Sequence, residues 1–337
     1  LARTALIIRG SGQIGHASAC ALLADGWQVR CAQRHGGDLD PELIRMGAEA
    51  IENDRRQPGA LALAVRGGVD ALIDTIAFDE ADARQLIALQ ADVGAFVVIS
   101  SASVYCDARG RMLDEAAQNG FPDLPIPIAE DHATVTAGPQ TYSTRKVALE
   151  QALLQEAKRP VTILRPSAIH GPASRHPREW WFVKRILDGR TSAPLAYKGE
   201  SRFHTSATVN LAELIRIVLE APATQILNAA DPEALSVTAI GETIAAIYGC
   251  DLRLVAFDGP PVGPVGENPW AVPRPLIVDM SRAQALGYRP LARYQDAVAS
   301  ACRSAEAAAR AGVAFPPYLT AMFDYAAEDA FLSARGL

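Results

Sequence analysis

One short stretch limits the folds open to this chain more than any other. It is Arg9-Gly10-Ser11-Gly12-Gln13-Ile14-Gly15, which follows the apolar run Ala5–Ile8 and opens an apolar helical segment. Gly-x-Gly-x-x-Gly carries weight when it sits at a strand-to-helix turn, as this one does. Gly10 permits the tight turn, Gly12 lets backbone approach a pyrophosphate, and Gly15 lets helix and strand pack closely. The first helical turn, with Gln13 and Ile14, then offers free N–H groups and a favourable dipole to phosphate. The stretch predicts a βαβ nucleotide fold and a dinucleotide ligand.

The pattern beyond the loop agrees. Strand-like runs recur at Ala5–Ile8, Gln28–Ala32, Ala71–Thr75, Ala95–Ser100 and Val161–Leu164, with helical stretches such as Ile14–Ala24 and Arg84–Asp92 between them. Alternation of this kind predicts a parallel sheet covered on both faces. From Gly171 the texture changes: Pro172, Pro177, Pro194 and the Trp180-Trp181 pair interrupt it, and Asn210–Leu219, Val237–Tyr248 and the alanine-rich Ala297–Ala311 read as helices. The expected fold is α/β: a Rossmann-type doubly wound parallel sheet over residues 1–170 and a smaller C-terminal α/β lobe over 171–337, with roughly 203–230 returning to the sheet domain.

The end of the second strand bears on the cofactor. An acid about 20 residues beyond the glycines would hold a ribose 2′-hydroxyl. Here the chain reads Cys31-Ala32-Gln33-Arg34-His35. Arg34, with Arg9, either faces a 2′-phosphate, which favours NADP(H) over NAD(H), or is a solvated loop charge.

Tyr142 and Lys146 stand one helical turn apart in Thr141-Tyr-Ser-Thr-Arg-Lys, so they share a face. An ammonium beside a phenol favours the phenolate and lowers a pKa that is ordinarily about 10. Such a tyrosine can exchange a proton with a substrate oxygen. The same spacing also occurs on solvated helix faces, and only the surrounding motifs favour the chemical reading.

Composition excludes other classes. Net charge is −6 with acids and bases interspersed, which speaks against a nucleic-acid partner. No apolar run reaches the length of a membrane span. Five scattered cysteines have no metal-ligand spacing, no metal site is expected, and they fit reduced thiols. With no signal-peptide architecture ahead of Thr4–Ile8, the expectation is a cytoplasmic protein.

With both motifs in place, the chain resembles the extended short-chain dehydrogenase/reductases, the NAD(P)-dependent epimerase/dehydratase group. Asn53-Asp54-Arg55 resembles the acidic turn where Asp54 would meet the adenine. Asp70–Ala77 resembles the fourth strand, whose end, Ile76 and Ala77, would lie along the cofactor. Val97–Tyr105 resembles the catalytic serine turn and implies Ser101 in that role, beside Tyr142 and Lys146. Leu164–Pro172, with Pro166, resembles the segment that passes the nicotinamide and opens the substrate domain, Ser201–Ala212 the return toward the sheet, and Val278–Tyr288 the C-terminal signature. By this resemblance Ser101 fixes a substrate oxygen, Tyr142 exchanges its proton, and Lys146 holds the phenol acidic and reaches the nicotinamide ribose. The resemblance also implies a homodimer through the Tyr-Lys helix, where Ala148, Ala152 and Leu153 suit a packed surface.

Departures narrow the chemistry. Arg9 and Cys106 replace glycines common in the family, and Ala102 and Ser103 replace the Asp-Glu pair with which its dehydratases eliminate water. An NADPH-dependent carbonyl reductase is the leading expectation. A sugar-nucleotide epimerase is the alternative, with Ser103, Arg202 and Arg274 as substrate candidates. A non-catalytic NADP-binding sensor or scaffold is the alternative from another class. Arg202 and Arg274 could clamp a diphosphate or be structural charges. Trp180, Trp181 and Phe182 would pack under the lobe or line a pocket, and His170, His176 and His204 would be loop or pocket residues.

Overall fold

Strands β1 (Thr4–Ile8), β2 (Gln28–Gln33), β3 (Glu49–Glu52), β4 (Val69–Asp74), β5 (Val93–Ile99) and β6 (Val161–Pro166) are followed by β7 (Ala168–His170), β8 (Ser192–Leu195), β9 (Thr205–Ala207), β10 (Gln225–Ala229) and β11 (Arg253–Ala256). They come from a computed structural model that describes residues 2–35 and 39–336. Seven of the strands form one parallel sheet in the order β3-β2-β1-β4-β5-β6-β10. This is the expected doubly wound order with one strand added. The chain leaves β1 toward β2 and β3, then resumes at β4 on the other side, so the switch point lies between β1 and β4.

The central strands are buried almost throughout because helices cover both faces, and β6 is buried at all six positions. Leu6, Leu72, Phe96, Val98 and Ile163 form the centre of that core. Glu49-Ala-Ile-Glu52 is different: it is an edge strand with three exposed residues, and its charges blunt the open edge. Its own composition carries no strand signal, which is why periodicity passed it by.

The chain divides into two units. The first comprises residues 1–167, 208–230 and 278–291, and holds the seven-stranded sheet. Within it the Thr208–Val218 helix packs on the Gln13–Ala24 helix. The second comprises 168–207, 231–277 and 292–337, with two small parallel sheets, β7–β9 and β8–β11. Trp181, Phe182 and Trp270 build its core with Ile240, Ile244 and Val298, so the aromatic run is packing. Arg185 is fully buried there, stacked over Trp181 at 3.6 Å and paired with Glu328.

Ala152 and Leu153 are buried in the first unit's own core. They cannot be the open packing face that the sequence suggested for a dimer. Among the described residues no helix is long and apolar enough to cross a membrane.

Candidate active site

The glycine loop follows β1 directly. Arg9 N–H donates to the Ala32 carbonyl at 2.7 Å and Gly12 N–H to the Arg9 carbonyl at 3.0 Å, which folds the chain back into the Gln13–Ala24 helix. Arg9 has φ 65°, in the left-handed region, where an L-residue costs about 1–2 kcal/mol. The chain keeps the turn that glycine would make freely, under strain. A Cβ at Gly10 would lie 2.5 Å from the Cys31 Cβ, and one at Gly15 would lie 2.2 Å from the Arg9 carbonyl oxygen. Packing inside the protein therefore forces both glycines. At Gly12 the nearest atom, the Arg9 carbonyl oxygen, would be 3.3 Å away, a tight contact but a much milder one than at Gly10 or Gly15. Gly12 caps the helix without a side-chain hydrogen bond, and the buried Oε1 of Gln13 has no partner among the described residues. An uncapped helix start and an orphaned polar atom beside this glycine turn together fit a phosphate-bearing ligand. Ile14 is buried behind them.

At the end of β2, Gln33 is buried and Arg34 exposed. The Gln33 carbonyl accepts from Asn53 N–H at 2.7 Å, which sets the turn carrying Asp54 beside it. Asp54 is half-buried and accepts from Arg56 N–H at 3.0 Å. The loop after β4 carries Ile76, half-buried, and Ala77, fully buried. Their N–H groups are both taken by Asp74, at 2.9 and 2.8 Å, so neither offers a backbone donor to a ligand. Pro166 ends β6, at the same carboxyl edge of the sheet.

The proton-transfer candidates stand just after β5 and on the helix Tyr142–Glu156. Thr141 caps that helix in a box with Thr144, and Asp114 accepts from Ser143 N–H at 2.7 Å, so its first turn is firmly placed. After β5, Ser101 Oγ accepts from Ser103 N–H at 3.1 Å. The Ser101, Ser103 and Ser143 hydroxyls then form a row with 2.9 Å between neighbours. That row joins the serine turn to the residue next to Tyr142. Tyr142 is 43% exposed and its ring lies 5.7 Å from that of Phe78.

Lys146, one turn on, is buried, with its Nζ 5.6 Å from the Tyr142 ring centroid. It donates to the carbonyls of Ala77 at 2.5 Å and Ile99 at 2.9 Å. An ammonium has three donors, so one is left beyond these two. Burial pushes its pKa down from 10.5 to about 8, against the pull of Asp74, Glu150 and Asp82. The spacing pointed to an ammonium against a phenol; its strong bonds in fact go to one loop carbonyl, Ala77, and one strand-end carbonyl, Ile99. Behind it Arg165 donates to Glu150 through Nε at 3.0 Å and Nη2 at 2.5 Å, and Ser100 donates to the same carboxylate at 2.5 Å. This buried pair locks the helix to β5 and β6.

Arg202 and Arg274 belong to the second unit. Their segments run together there, with Leu276 N–H donating to the Arg202 carbonyl at 2.9 Å, but Arg202 Nη1 donates to the Ala234 carbonyl at 2.5 Å. Also in that unit, His170 Nε2 and the Thr205 hydroxyl meet one oxygen of Asp231, at 2.8 and 2.6 Å, and Ala207 N–H meets the other at 2.7 Å. His204 Nε2 lies 2.9 Å from the Asp231 carbonyl oxygen. Both histidines are buried, His170 at the end of β7 and His204 in the loop just before β9. His176 is exposed and stacks on Tyr318. No group of three or more metal-ligating side chains gathers among the described residues.

Known proteins place this architecture. The pattern of a family described as male sterility protein matches residues 82–192, about a third of the chain. No curated protein sequence matches it. Among solved structures it is similar to MoeE5 in complex with UDP-glucose and NAD, at 18% identity and TM-score 0.66, over 91% of this chain and 99% of that one. A UDP-N-acetylglucosamine 4-epimerase from Methanobrevibacter ruminantium is similar at 15% identity and TM-score 0.69, over 91% and 99%. A dTDP-glucose 4,6-dehydratase from Bacillus anthracis, in complex with NAD, is similar at 15% identity and TM-score 0.66, over 91% and 97%. At such identities the likeness shows the fold alone: a Rossmann-type parallel seven-stranded sheet flanked by helices.

Proposed function

We propose that the protein is an NAD(P)-dependent oxidoreductase acting at a secondary alcohol or ketone, with Tyr142 as proton donor and acceptor, and that it works as an NADPH-dependent carbonyl reductase. The observation that carries this is the Tyr142–Lys146 turn: a lysine fixed by two carbonyls beneath a half-exposed phenol, tied to Ser101 through the Ser103–Ser143 hydrogen bond. A nicotinamide cofactor supplies hydride chemistry when bound. Gly10, Gly12, Gln13, Ile14 and Gly15 would hold its pyrophosphate, and Asp54, Ile76, Ala77 and Pro166 would flank the rest. Gln33 and Arg34 stand where the adenine ribose would be read, and the planar fork of Arg34 suits a 2′-phosphate. The Ser101 hydroxyl orients the substrate oxygen, Tyr142 gives or takes its proton, and the spare donor of Lys146 keeps positive charge beside the phenol.

The residues after Ser101 oppose a dehydratase role, because Ala102 has no titrating group and Ser103 spends its hydrogen bonds on Ser101 and Ser143. A sugar-nucleotide epimerase remains the second reading. It is favoured by fold neighbours solved with UDP-sugars and by Arg202 and Arg274 on paired segments.

The experiment is a panel of ketones and UDP- and dTDP-sugars with NADPH and NADH, run on wild type and Tyr142→Phe, with cofactor binding followed by fluorescence. The reading expects tight NADPH binding in both proteins and turnover in wild type only. Unchanged turnover in Tyr142→Phe sinks the catalytic assignment. Equal affinity for NADH and NADPH sinks the cofactor preference.

A further inference from the structure

The apolar run of β4 ends on a carboxylate, Ala71-Leu-Ile-Asp74, and Asp74 is fully buried. A buried charge needs a reason, because desolvation is expensive unless partners compensate. Asp74 Oδ1 accepts from Ile76 and Ala77 N–H, and Oδ2 accepts from Arg55 Nη1 at 2.7 Å. Arg55 is 11% exposed, and its Nη2 also reaches Asp82 at 3.1 Å. Asp82 in turn accepts from Phe78 N–H at 2.7 Å. Three successive N–H groups after β4 are thus caught by two carboxylates, and one guanidinium bridges the two.

This clamp has a single product: the conformation of residues 76–78. The Ala77 carbonyl meets Lys146 Nζ, and the Phe78 ring lies against Tyr142. The loop supports both members of the Tyr-Lys pair from below. Arg55 follows Asp54, the residue proposed for the adenine, so one hydrogen-bonded line runs from that turn to the lysine.

We propose that Asp74, clamped by Arg55, is a positioning residue: it shapes the ledge on which Lys146 rests and, as a buried carboxylate held by that clamp, adds negative charge to the lysine's surroundings. The functional meaning rests on the reading of Lys146 above; the geometry and its test do not. The titratable and charged groups facing Lys146 are Asp74, Glu150 and Asp82, which hold it charged, Arg55, which opposes them, and the Tyr142 phenol, whose ring centroid lies 5.6 Å away; burial opposes the lysine's charge too. The clamp therefore makes a signed prediction. Neutralising Asp74 lowers the lysine's pKa, and neutralising Arg55 raises it. A merely structural disturbance has no reason to give opposite signs.

Only four lysines occur in the chain, Lys146, Lys158, Lys184 and Lys198, so their side chains can be resolved by NMR. The full chain is labelled with ¹³C,¹⁵N-lysine, Lys146 is assigned with Lys146→Arg, and the Cε and Nζ shifts are titrated from pH 6 to 11. Wild-type Lys146 is expected to titrate near 8. Asp74→Asn, whose amide oxygen can still accept from Ile76 and Ala77, is expected to move it down by roughly one unit, and Arg55→Gln to move it up. No shift in either variant, or shifts of one sign, overturns the proposal. If Asp74→Asn does not fold, Arg55→Gln decides: an upward shift sustains the proposal, and a downward or absent one ends it. NADPH titration of the same wild-type sample judges the cofactor reading separately, since its failure would leave the lysine shifts standing.

Discussion

Two buried carboxylates, one in each unit, show what separates a site from a scaffold. Asp74 and Asp231 both have essentially no exposure, and both accept backbone N–H groups and a basic side chain. Asp231 ends its network in packed interior: His170 is covered by Tyr294, with ring centroids 4.7 Å apart, and its Nδ1 has no partner among the described residues. Asp74 instead passes its order outward, through the Ala77 carbonyl to a lysine with one donor to spare and a half-exposed phenol. Buried charge by itself marks neither role. What differs is the unspent donor of Lys146 beside an exposed phenol.

The contrast breaks most visibly at Lys146. Lys146→Met should cut turnover on any substrate found in the panel about 10²–10⁴-fold, the usual scale for losing an acid–base group, while the fold survives by circular dichroism. Next comes Asp231→Ala, which strands the Thr205 hydroxyl, His170 and the Ala207 N–H. It should cost about 2–4 kcal/mol in urea unfolding and leave NADPH affinity per folded molecule unchanged. A lost affinity with intact stability would reverse the roles assigned to the two carboxylates. The third test compares glycines. Gly12→Ala should keep the wild-type melting temperature and weaken NADPH binding about tenfold, roughly 1.4 kcal/mol. Gly15→Ala should disrupt the loop itself, because its Cβ would sit 2.2 Å from a carbonyl oxygen.

The smallest effect is expected at Asp107. Burial works to raise its pKa, but hydrogen bonds from the Asp123, Arg111 and Arg109 N–H groups and the Arg111 side chain hold it well below the ordinary carboxylate range. A depressed carboxylate stabilises the fold above its unfolded pKa of about 4, and that contribution fades as pH falls toward the folded value. Asp107→Asn should therefore be less stable than wild type at pH 7, with the gap closing in acid. A gap independent of pH would locate the effect in packing.

Much of the first unit was legible because its signals are local. Gly10, Gly12 and Gly15 follow a strand and open a helix, and Val93–Ile99 is a continuous apolar run, with Val161–Leu164 a mostly apolar one, in a doubly covered sheet. Tyr142 and Lys146 show a helical spacing that needs no partner to be seen. What the sequence hid is set by distant contacts. Ala77 and Ile99 offer only carbonyls, so nothing in their side chains announces the bed of Lys146. Arg55 looks like any loop charge until it is found between Asp74 and Asp82. Glu49–Glu52 pairs as a strand only because β2 is there to receive it. Arg202 had the right residue type for a phosphate clamp, and tertiary structure spends one of its nitrogens on Ala234. The one local hint left unread was Asp74 itself, an acid ending an apolar run.

The added strand β10 has a consequence for how the chain is made. Its residues, 225–229, emerge from the ribosome only after residues 168–207 of the second unit, and the Thr208–Val218 helix that packs on Gln13–Ala24 is equally late. Until then β6 has no neighbour on its far side, and an apolar strand waits with an open row of backbone groups. Synthesis of this protein thus has a vulnerable interval between about residue 167 and residue 230. A nascent chain stalled there is the species a chaperone would be expected to hold.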